Sequence, residues 1–314
     1  MGAGHFGSHH ARVAAADPGA GLVAVVDANA ERAHQIGANY GCEGLTDFEA
    51  LRGKVDAAVV AVPTLYHADV ACGLMAAGID VLVEKPMALD LVSADRMIAA
   101  AAEHGRILQI GHLERFNPAV LALEAAVKLP LFFEIHRMSV FSPRSLDVDV
   151  VLDLMIHDLD IVLALVSSGL VDIRATGISI LSSKVDIANV RLEFQNGCVA
   201  NLTASRASTE KVRKLRVFQP GEYISLDYGR QELQGIRVTE SREISFYPYE
   251  TKKDEPLRLQ FEAFLGSVRT RRTPKLNGVA ARRSLEVALA IAGKIEEHGA
   301  VVRQTLGNAW KPQP

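Results

Sequence analysis

Cysteine is scarce in this chain of 314 residues, which contains three cysteines, Cys42, Cys72 and Cys198. They stand far apart and form no Cys-x-x-Cys pair, so the sequence supports neither a disulfide framework nor a cysteine zinc site. The histidines are also scattered, without the spacing of metal ligands, and we therefore predict no catalytic metal. Isolated thiols of this kind are typical of a reducing compartment, and we expect a cytoplasmic protein.

An excess of either charge is also lacking. The 34 basic and 37 acidic side chains leave a net charge of −3, which favours neither nucleic acid nor a membrane surface as a partner. No apolar run reaches the roughly 18 residues of a membrane span, and the first residues carry no secretory signal. The length instead predicts about two domains with substantial cores.

The first residues match the pattern Gly-x-Gly-x-x-Gly through Gly2, Gly4 and Gly7, and a helical run follows. Strand-like apolar segments then alternate with amphipathic helices, which predicts a Rossmann-type doubly wound parallel sheet. The segments are 22–26, 56–62, 80–83 and 106–110. Such glycines let a dinucleotide pyrophosphate approach a helix N-terminus closely, so His5 and Phe6 are predicted to contact the cofactor as well.

Asp27 ends the next predicted strand, about 20 residues after the glycines, where a carboxylate can bind the adenosine ribose and disfavour a 2′-phosphate. The predicted cofactor is therefore NAD. A buried central strand should precede the glycines, yet only Met1 stands before Gly2. We expect this first strand to be truncated and hypothesise that the sequence starts several residues late, which the upstream codons would test.

Two further stretches follow predicted strands, at the sheet edge where open α/β sheets bind ligands. Pro63, Thr64 and His67 lie in the first stretch, and Glu84 and Lys85 open the second. All five are candidate cofactor contacts. A plain strand-to-helix turn and a solvated Glu-Lys pair are the alternatives, but a lysine here can present its ammonium to a substrate hydroxyl.

The pattern changes after the first 114 residues, so we predict a Rossmann domain over 1–114 and an α+β domain for substrate binding and oligomerisation over 115–314. Segments with a period of two predict an open, mainly antiparallel sheet, with a hairpin turn at Gln195-Asn196-Gly197. The segments are 131–141, 171–181, 186–194, 198–205, 215–219 and 223–228. Helices are predicted over 257–271 and 279–298. A face of this sheet that no helix covers would be an interface between copies of the chain. We therefore expect a homo-oligomer, either a dimer or a tetramer.

A strongly apolar helix predicted from Asp149 onward carries a polar stripe. Asp149, Asp153, His157 and Asp160 are spaced by four, four and three residues and would share one helix face. A buried carboxylate is costly unless it is paired or used, so Asp153 and His157 are either a core pair or a base with its orienting carboxylate. Lys85 at a strand end favours the second interpretation, and Asp149 and Asp160 remain unassigned.

With these motifs in order, the chain resembles the family of glucose-fructose oxidoreductase and inositol dehydrogenase (Gfo/Idh/MocA) over essentially its full length. The matching pieces are Gly2–Gly7, Asp27, Val62-Pro63-Thr64 with His67, Glu84-Lys85-Pro86 and Asp153 with His157. The resemblance implies NAD-dependent oxidation of a secondary hydroxyl. Lys85 would contact the nicotinamide ribose and the substrate, His157 would be the acid/base, and Asp153 would orient or polarise that chemistry.

Within the family, the segments 111–118, 153–161 and 184–189 are most similar to the branch that oxidises UDP-N-acetylglucosamine to a 3-keto sugar for lipid A biosynthesis. This resemblance implies a sugar-nucleotide substrate and makes Arg115, Asn117, Arg144 and His157 candidate substrate contacts. Basic side chains that could meet a pyrophosphate are Arg115, Arg137, Arg144, Arg206, Lys211, Arg213 and Lys214, with Arg144 the best candidate. The alternative for each is a solvated surface charge.

Two other functions remain open from the sequence. One is a dehydrogenase of a free polyol or monosaccharide, with the same cofactor and family. The other is a dinucleotide sensor without catalysis, against which the joint presence of Lys85, Asp153 and His157 argues.

Overall fold

The computed structural model describes residues 1–141, 148–239 and 241–306. Its helices are α1 His5–Ala16, α2 Ala30–Tyr40, α3 His67–Ala76, α4 Leu91–Glu103, α5 Pro118–Ala126, α6 Ile156–Leu165, α7 Pro256–Thr270 and α8 Gly278–Leu306. Its strands are β1 Ala24–Val26, β2 Glu43–Leu45, β3 Ala57–Val60, β4 Asp80–Glu84, β5 Leu108–Gly111, β6 Phe132–Val140, β7 Leu170–Ile178, β8 Ile187–Phe194, β9 Val199–Ser208, β10 Val212–Gln219, β11 Glu222–Asp227, β12 Glu232–Val238 and β13 Ile244–Pro248.

The chain forms two compact units. The first unit contains Met1–Leu113 and Glu255–Leu285, and the second contains Glu114–Asp254 and the chain from Glu286 onward. Helix α7 therefore belongs with the N-terminal sheet, although more than a hundred residues separate them in sequence. None of the helices in the described ranges combines the length and apolar character that a bilayer crossing requires.

The first unit is built on parallel strands, as the alternation of apolar strands and helices predicted. Strand β1 pairs with β2, and β4 pairs with β3 on one side and β5 on the other. All five residues of β4 are buried. A strand covered on both faces buries its side chains in both directions, and this explains why the three central residues, Val81–Val83, are all apolar.

Met1 lies between β1 and β3, where the first strand of a doubly wound sheet would run. Its amino group donates to the Val59 carbonyl at 2.8 Å, and its carbonyl accepts from the Ala61 N–H at 2.8 Å. The Gly2 N–H donates to the Val26 carbonyl at 2.7 Å. Met1 and Gly2 thus bond to both neighbouring segments, and in the described chain the parallel strands form two separate sheets.

A cavity of about 580 Å³ opens beside Met1 in the first unit. Its walls come mainly from α1, β1, β3 and α7, and include the apolar side chains of Ala14, Val25, Val59, Phe261, Phe264 and Leu265. The cavity therefore lies between β1 and β3, next to Met1.

The second unit is built on one eight-stranded sheet, in the order β13-β12-β11-β10-β6-β9-β8-β7. Every neighbouring pair is antiparallel except β6 with β9. This confirms the predicted open, mainly antiparallel sheet, to which β12 and β13 add two strands that the sequence pattern did not reveal. Gly197 forms the predicted hairpin turn with a φ of +83°, and its N–H donates to the Phe194 carbonyl at 2.9 Å.

The helix that carries Asp153 and His157 is not uniform. A wider π-helical turn spans Val151–Met155, and α6 follows directly from Ile156. The wide turn changes the angular phase of the residues on either side of it, so the four polar residues do not follow the regular α-helical spacing from which a single stripe was predicted. Asp149 instead caps the helix start, accepting from the N–H groups of Val151 and Leu152 at 2.9 Å each.

Candidate active site

The glycine-rich turn of the first unit has the shape that a dinucleotide requires. Gly2 has a φ of +83°, and a Cβ there would lie 2.6 Å from the Ala61 carbonyl oxygen. A Cβ on Gly7 would collide with the Gly2 carbonyl. By contrast, a Cβ on Gly4 would meet nothing within 4 Å. Gly2 and Gly7 therefore permit the tight turn, while Gly4 leaves open space beside the start of α1.

The start of α1 fits an anion. Gly4 is the N-cap residue, and as a glycine it has no side chain to bond the first N–H groups of the helix. The first hydrogen bond of the helix joins the Ser8 N–H to the Gly4 carbonyl at 2.9 Å. The N–H groups of His5, Phe6 and Gly7 precede that bond and point toward the open N-terminus, where the helix dipole favours negative charge. These groups could hold the pyrophosphate of a dinucleotide.

Asp27 lies at the end of β1 and contacts the glycine-rich turn. One carboxylate oxygen accepts from the Ala3 N–H at 2.6 Å, and the other accepts from the Asn29 N–H at 2.8 Å. The nearest guanidinium nitrogen of Arg32 is 3.8 Å away. Asp27 thereby joins the glycine-rich turn to the start of α2, and its contact with the adenosine ribose stays a prediction.

Lys85 directly follows β4, and buried neighbours hold its backbone. The Glu84 carboxylate contacts the His10 ring through Nε2 at 2.7 Å and accepts from the Lys85 N–H at 3.2 Å. A Cβ on Gly111 of β5 would lie 2.9 Å from the same carboxylate, so only glycine leaves room for it. The contact between Glu84 and His10 was not predicted from the sequence. The position of His10, three residues after Gly7 on α1, was the feature that could have indicated it.

His67 connects the loop after β3 with the segment after Lys85. Its ring nitrogens lie 2.9 Å from the Val62 carbonyl oxygen and 3.0 Å from the Pro86 carbonyl oxygen, and the residue is 1% exposed. Burial lowers the pKa of His67. Of the other two candidates in this loop, Pro63 is exposed and Thr64 is half-buried. The contacts of all three with a cofactor remain predictions.

Asp153 and His157 lie in the second unit, four residues apart across the junction of the π-helical turn and α6. Asp153 is half-buried, and His157 is 7% exposed. The next residue, Asp158, is fully buried and accepts from Arg137 Nε at 2.6 Å, from Arg137 Nη2 at 2.8 Å and from the Tyr228 hydroxyl at 3.0 Å. This bidentate ion pair anchors α6 to β6 directly beside His157.

The charges of this buried network stabilise one another. Burial alone would lower the pKa of Arg137, but the carboxylates of Asp158 and Glu114 raise it well above its usual value. Glu114 accepts from Arg137 Nη1 at 3.0 Å. Burial and the charge of Asp158 also raise the pKa of Tyr228. The network therefore keeps Arg137 charged and Tyr228 protonated.

Family models match both units of the chain. Residues 1–112 match the oxidoreductase family with an NAD-binding Rossmann fold (Gfo/Idh/MocA), and residues 130–219 match the C-terminal domain of the same family. The chain belongs to the Gfo/Idh/MocA family of oxidoreductases. This confirms the family resemblance inferred from the sequence and identifies the N-terminal segment as an NAD-binding domain.

Individual relatives agree with this assignment. The UDP-N-acetylglucosamine 3-dehydrogenase of Acidithiobacillus ferrooxidans is 37% identical over 307 residues, covering 94% of this chain and 96% of the relative. The crystal structure of that enzyme, GnnA, superposes with a TM-score of 0.89 at 38% identity, over 94% of this chain and 96% of the other. The scyllo-inositol 2-dehydrogenase (NAD(+)) of Bacillus subtilis is 26% identical, over 92% of this chain and 91% of the relative.

Two of the proposed substrate contacts of this Gfo/Idh/MocA protein are engaged within the second unit. Arg115 bonds to Glu124 at 2.7 Å and to Asp160 at 3.1 Å. Asn117 caps α5 by accepting from the Ala119 N–H at 3.1 Å. Structural contacts therefore account for both side chains and for the previously unassigned Asp160, while the substrate roles of Arg115 and Asn117 stay predictions. Arg144 lies outside the described residues.

In the described ranges, no group of three or more His, Cys, Asp or Glu side chains is placed to hold a metal ion.

Proposed function

We propose that this oxidoreductase uses NAD to oxidise a secondary hydroxyl of a sugar nucleotide, and specifically the 3-hydroxyl of UDP-N-acetylglucosamine. The observation that carries the proposal is the 37% identity to a UDP-N-acetylglucosamine 3-dehydrogenase over 94% of the chain. Lys85, Asp153 and His157 are all present for the chemistry. We further propose that the keto sugar is consumed in amino-sugar synthesis for lipid A, in the cytoplasm.

The roles of these side chains follow from their chemistry. NAD, when bound, accepts a hydride from the carbon that carries the reacting hydroxyl. His157 accepts the hydroxyl proton, since a neutral imidazole is an effective general base near neutral pH. Asp153 orients His157 from four residues earlier. The ammonium of Lys85 stabilises the negative charge that develops on the substrate oxygen. The Lys85 N–H donates to the Glu84 carboxylate, and His67 contacts the carbonyl of the next residue, Pro86.

Substrate class can be tested by following the absorbance of reduced nicotinamide with a graded set of sugars. The set is UDP-N-acetylglucosamine, N-acetylglucosamine 1-phosphate, N-acetylglucosamine and myo-inositol. We expect turnover with UDP-N-acetylglucosamine and little or none with the free sugars. Turnover of free sugars or polyols alone would contradict the proposal and favour the inositol dehydrogenase-like alternative. NAD binding without any turnover would favour the sensor.

The oxidised position can be tested with deuterium. UDP-N-acetylglucosamine that carries deuterium at C3 should transfer it to the cofactor and should react more slowly in single turnover. The isotopomer labelled at C4 should do neither. Transfer from C4 would refute oxidation at the 3-hydroxyl while leaving the substrate class intact.

The catalytic roles can be tested with Lys85→Ala and His157→Ala. Each should lower kcat by about 10²-fold or more while NAD binding and the far-UV circular dichroism stay unchanged. His136→Ala is a suitable control, because His136 lies on β6 with a partly exposed ring. If His157→Ala unfolds the protein but keeps normal activity per folded molecule, then Asp153 and His157 are a core pair instead.

We also propose that the second unit forms a homo-oligomer, as a dimer or tetramer. One face of its sheet carries the aromatic row Phe132, Phe218 and Tyr223, with ring centroids 5.7 Å and 4.9 Å apart. Phe218 is exposed, and a partly exposed aromatic row is typical of a protein interface. Light scattering should give an oligomer for the wild type and a smaller species for Phe218→Glu. A wild-type monomer at micromolar concentration would refute the proposal.

A further inference from the structure

Two arginines lie directly opposite each other on adjacent strands of the second unit. Arg137 on β6 and Arg213 on β10 are partners in the antiparallel register. Side chains in such positions start about 5 Å apart, and like charges there repel. The positive charge of Arg137 is compensated by the carboxylates of Asp158 and Glu114, to which it donates hydrogen bonds. The unusual member of the pair is therefore Arg213.

Arg213 lacks an equivalent set of acidic partners in the described residues. Its Nη1 is 3.6 Å from Glu114 Oε1, beyond hydrogen-bond distance, and that oxygen already accepts from Arg137 at 3.0 Å. The Nε atom of Arg213 is buried without a hydrogen-bond partner in the described chain. Burial and the charge of Arg137 lower the pKa of Arg213. Its side chain nevertheless stays 34% exposed, so donors remain available to a ligand.

The position of Arg213 relates it to the candidate catalytic helix. Its register partner Arg137 clamps Asp158, the residue that follows His157, so Arg213 lies one strand away from the anchor of that helix. The negative charge of Asp153 also acts on Arg213. Arg213 thus lies close to the side chains proposed for proton transfer within the second unit.

Other basic side chains of the second unit are less suitable. Arg115, Arg137 and Arg206 are buried and make ion pairs. Lys214 is exposed, and as the neighbour of Arg213 along β10 it points to the opposite sheet face. Among the described candidates for a pyrophosphate contact, Arg213 is the one that combines a buried Nε without a hydrogen-bond partner with a side chain that is 34% exposed.

We propose that Arg213 binds the diphosphate of a nucleotide-sugar substrate and thereby selects it over a free sugar. This inference rests on the proposed function. A guanidinium presents paired N–H donors that match two phosphate oxygens, and a bound diphosphate would neutralise the repulsion between Arg213 and Arg137. Without a ligand, the repulsion between Arg213 and Arg137 destabilises the fold. A residue with a purely structural role would stabilise the fold, so the stability of variants at Arg213 separates the two roles.

The test compares Arg213→Ala and Arg213→Lys with Arg216→Ala. Arg216 lies on the same strand with a side chain that is 31% exposed, but it is paired with Glu134 at 2.9 Å. Calorimetry with UDP as the probe measures binding to the NAD-loaded protein, and thermal melting without UDP measures stability. Arg213→Ala should weaken UDP binding by about 10- to 100-fold and should melt at or above the wild-type temperature. Arg213→Lys should recover part of the affinity.

The control should separate specific from general effects. Arg216→Ala should leave UDP binding unchanged, because its partner is Glu134 on the other sheet face. Unchanged UDP binding by Arg213→Ala would overturn the inference, as would a wild type that does not bind UDP. A melting temperature well below that of the wild type would show that Arg213 is structural and would also overturn it.

The inference and the proposed function can fail separately. If UDP binding depends on Arg213 but UDP-N-acetylglucosamine is not oxidised, the inference holds and the proposed function fails. If UDP-N-acetylglucosamine is oxidised with the same kcat/KM by wild type and Arg213→Ala, the proposed function holds and the inference fails.

Discussion

Replacing Asp158 with asparagine should strongly destabilise the second unit. The carboxylate accepts hydrogen bonds at 2.6 Å and 2.8 Å from Arg137 and at 3.0 Å from the Tyr228 hydroxyl. All three side chains are buried. Asparagine keeps the shape but removes the negative charge, and its NH₂ group turns one of the two contacts with Arg137 into a clash between donors. Arg137 would then be a buried cation with Glu114 as its remaining acidic partner.

The size of the effect follows from this burial. Removing one partner of a buried ion pair costs about 3–5 kcal/mol, because the other charge remains buried and uncompensated. Glu114 still offsets part of the Arg137 charge through its bond at 3.0 Å, so we expect the lower end, about 3 kcal/mol. This corresponds to a roughly 150-fold smaller folding equilibrium constant. For a unit of this size it also corresponds to a melting temperature lower by about 6–12 °C.

Urea unfolding followed by far-UV circular dichroism measures this loss, and hydrogen exchange of the α6 amides assigns it to the second unit. Asp172→Asn is the matched control, because Asp172 pairs with Arg174 at 3.0 Å on the surface. That variant should leave the unfolding midpoint unchanged. A loss below about 1 kcal/mol in Asp158→Asn, the size of an ordinary hydrogen bond, would refute the reasoning that the buried charge pair anchors α6.

Three further predictions concern the first unit and the thiols. Asp27→Ala should raise the KM for NAD and increase the use of NADP, because the nearby Arg32 could then meet a 2′-phosphate; an unchanged preference in initial rates would count against this. His10→Leu should lower the melting temperature by leaving the Glu84 carboxylate buried without its 2.7 Å partner, and adding Glu84→Gln should restore part of it. Strictly additive losses would contradict that coupling. Burial raises the pKa of Cys198 to about 11, so a thiol reagent at pH 8 should label it only after unfolding in urea; rapid labelling of the native protein would show that the thiol is accessible.

Local patterns in the sequence predicted the parallel strands of the first unit and the mainly antiparallel sheet of the second. Continuous apolar strands mark a sheet covered on both faces, and alternation marks a sheet covered on one, because burial dictates which positions are apolar. The glycine positions were equally informative about the backbone conformation. A φ of +83° at Gly2 and close backbone contact at Gly7 are requirements that other residues satisfy poorly, so the residue type reveals the backbone. The family resemblance then supplied the roles of Lys85, Asp153 and His157, which remain to be measured.

The partners of the buried charges could not be predicted from local sequence patterns. Asp158 is 21 residues from Arg137 and 70 residues from Tyr228 along the chain. No local pattern relates such positions, because strand register brings them together only once the sheet and α6 have packed. The same reason hides the contact between His10 and Glu84, which are 74 residues apart.

The sequence by itself determined the parallel and antiparallel sheets, the glycine-rich turn and the family. Tertiary structure alone decided how the helix of Asp153 and His157 is held, through the π-helical turn at Val151–Met155 and the clamp on Asp158. It also decided that Arg213 stays underpaired beside Arg137. Propensity and periodicity act over a few residues, whereas burial of a charge depends on neighbours from distant segments, and these become neighbours only in the folded chain.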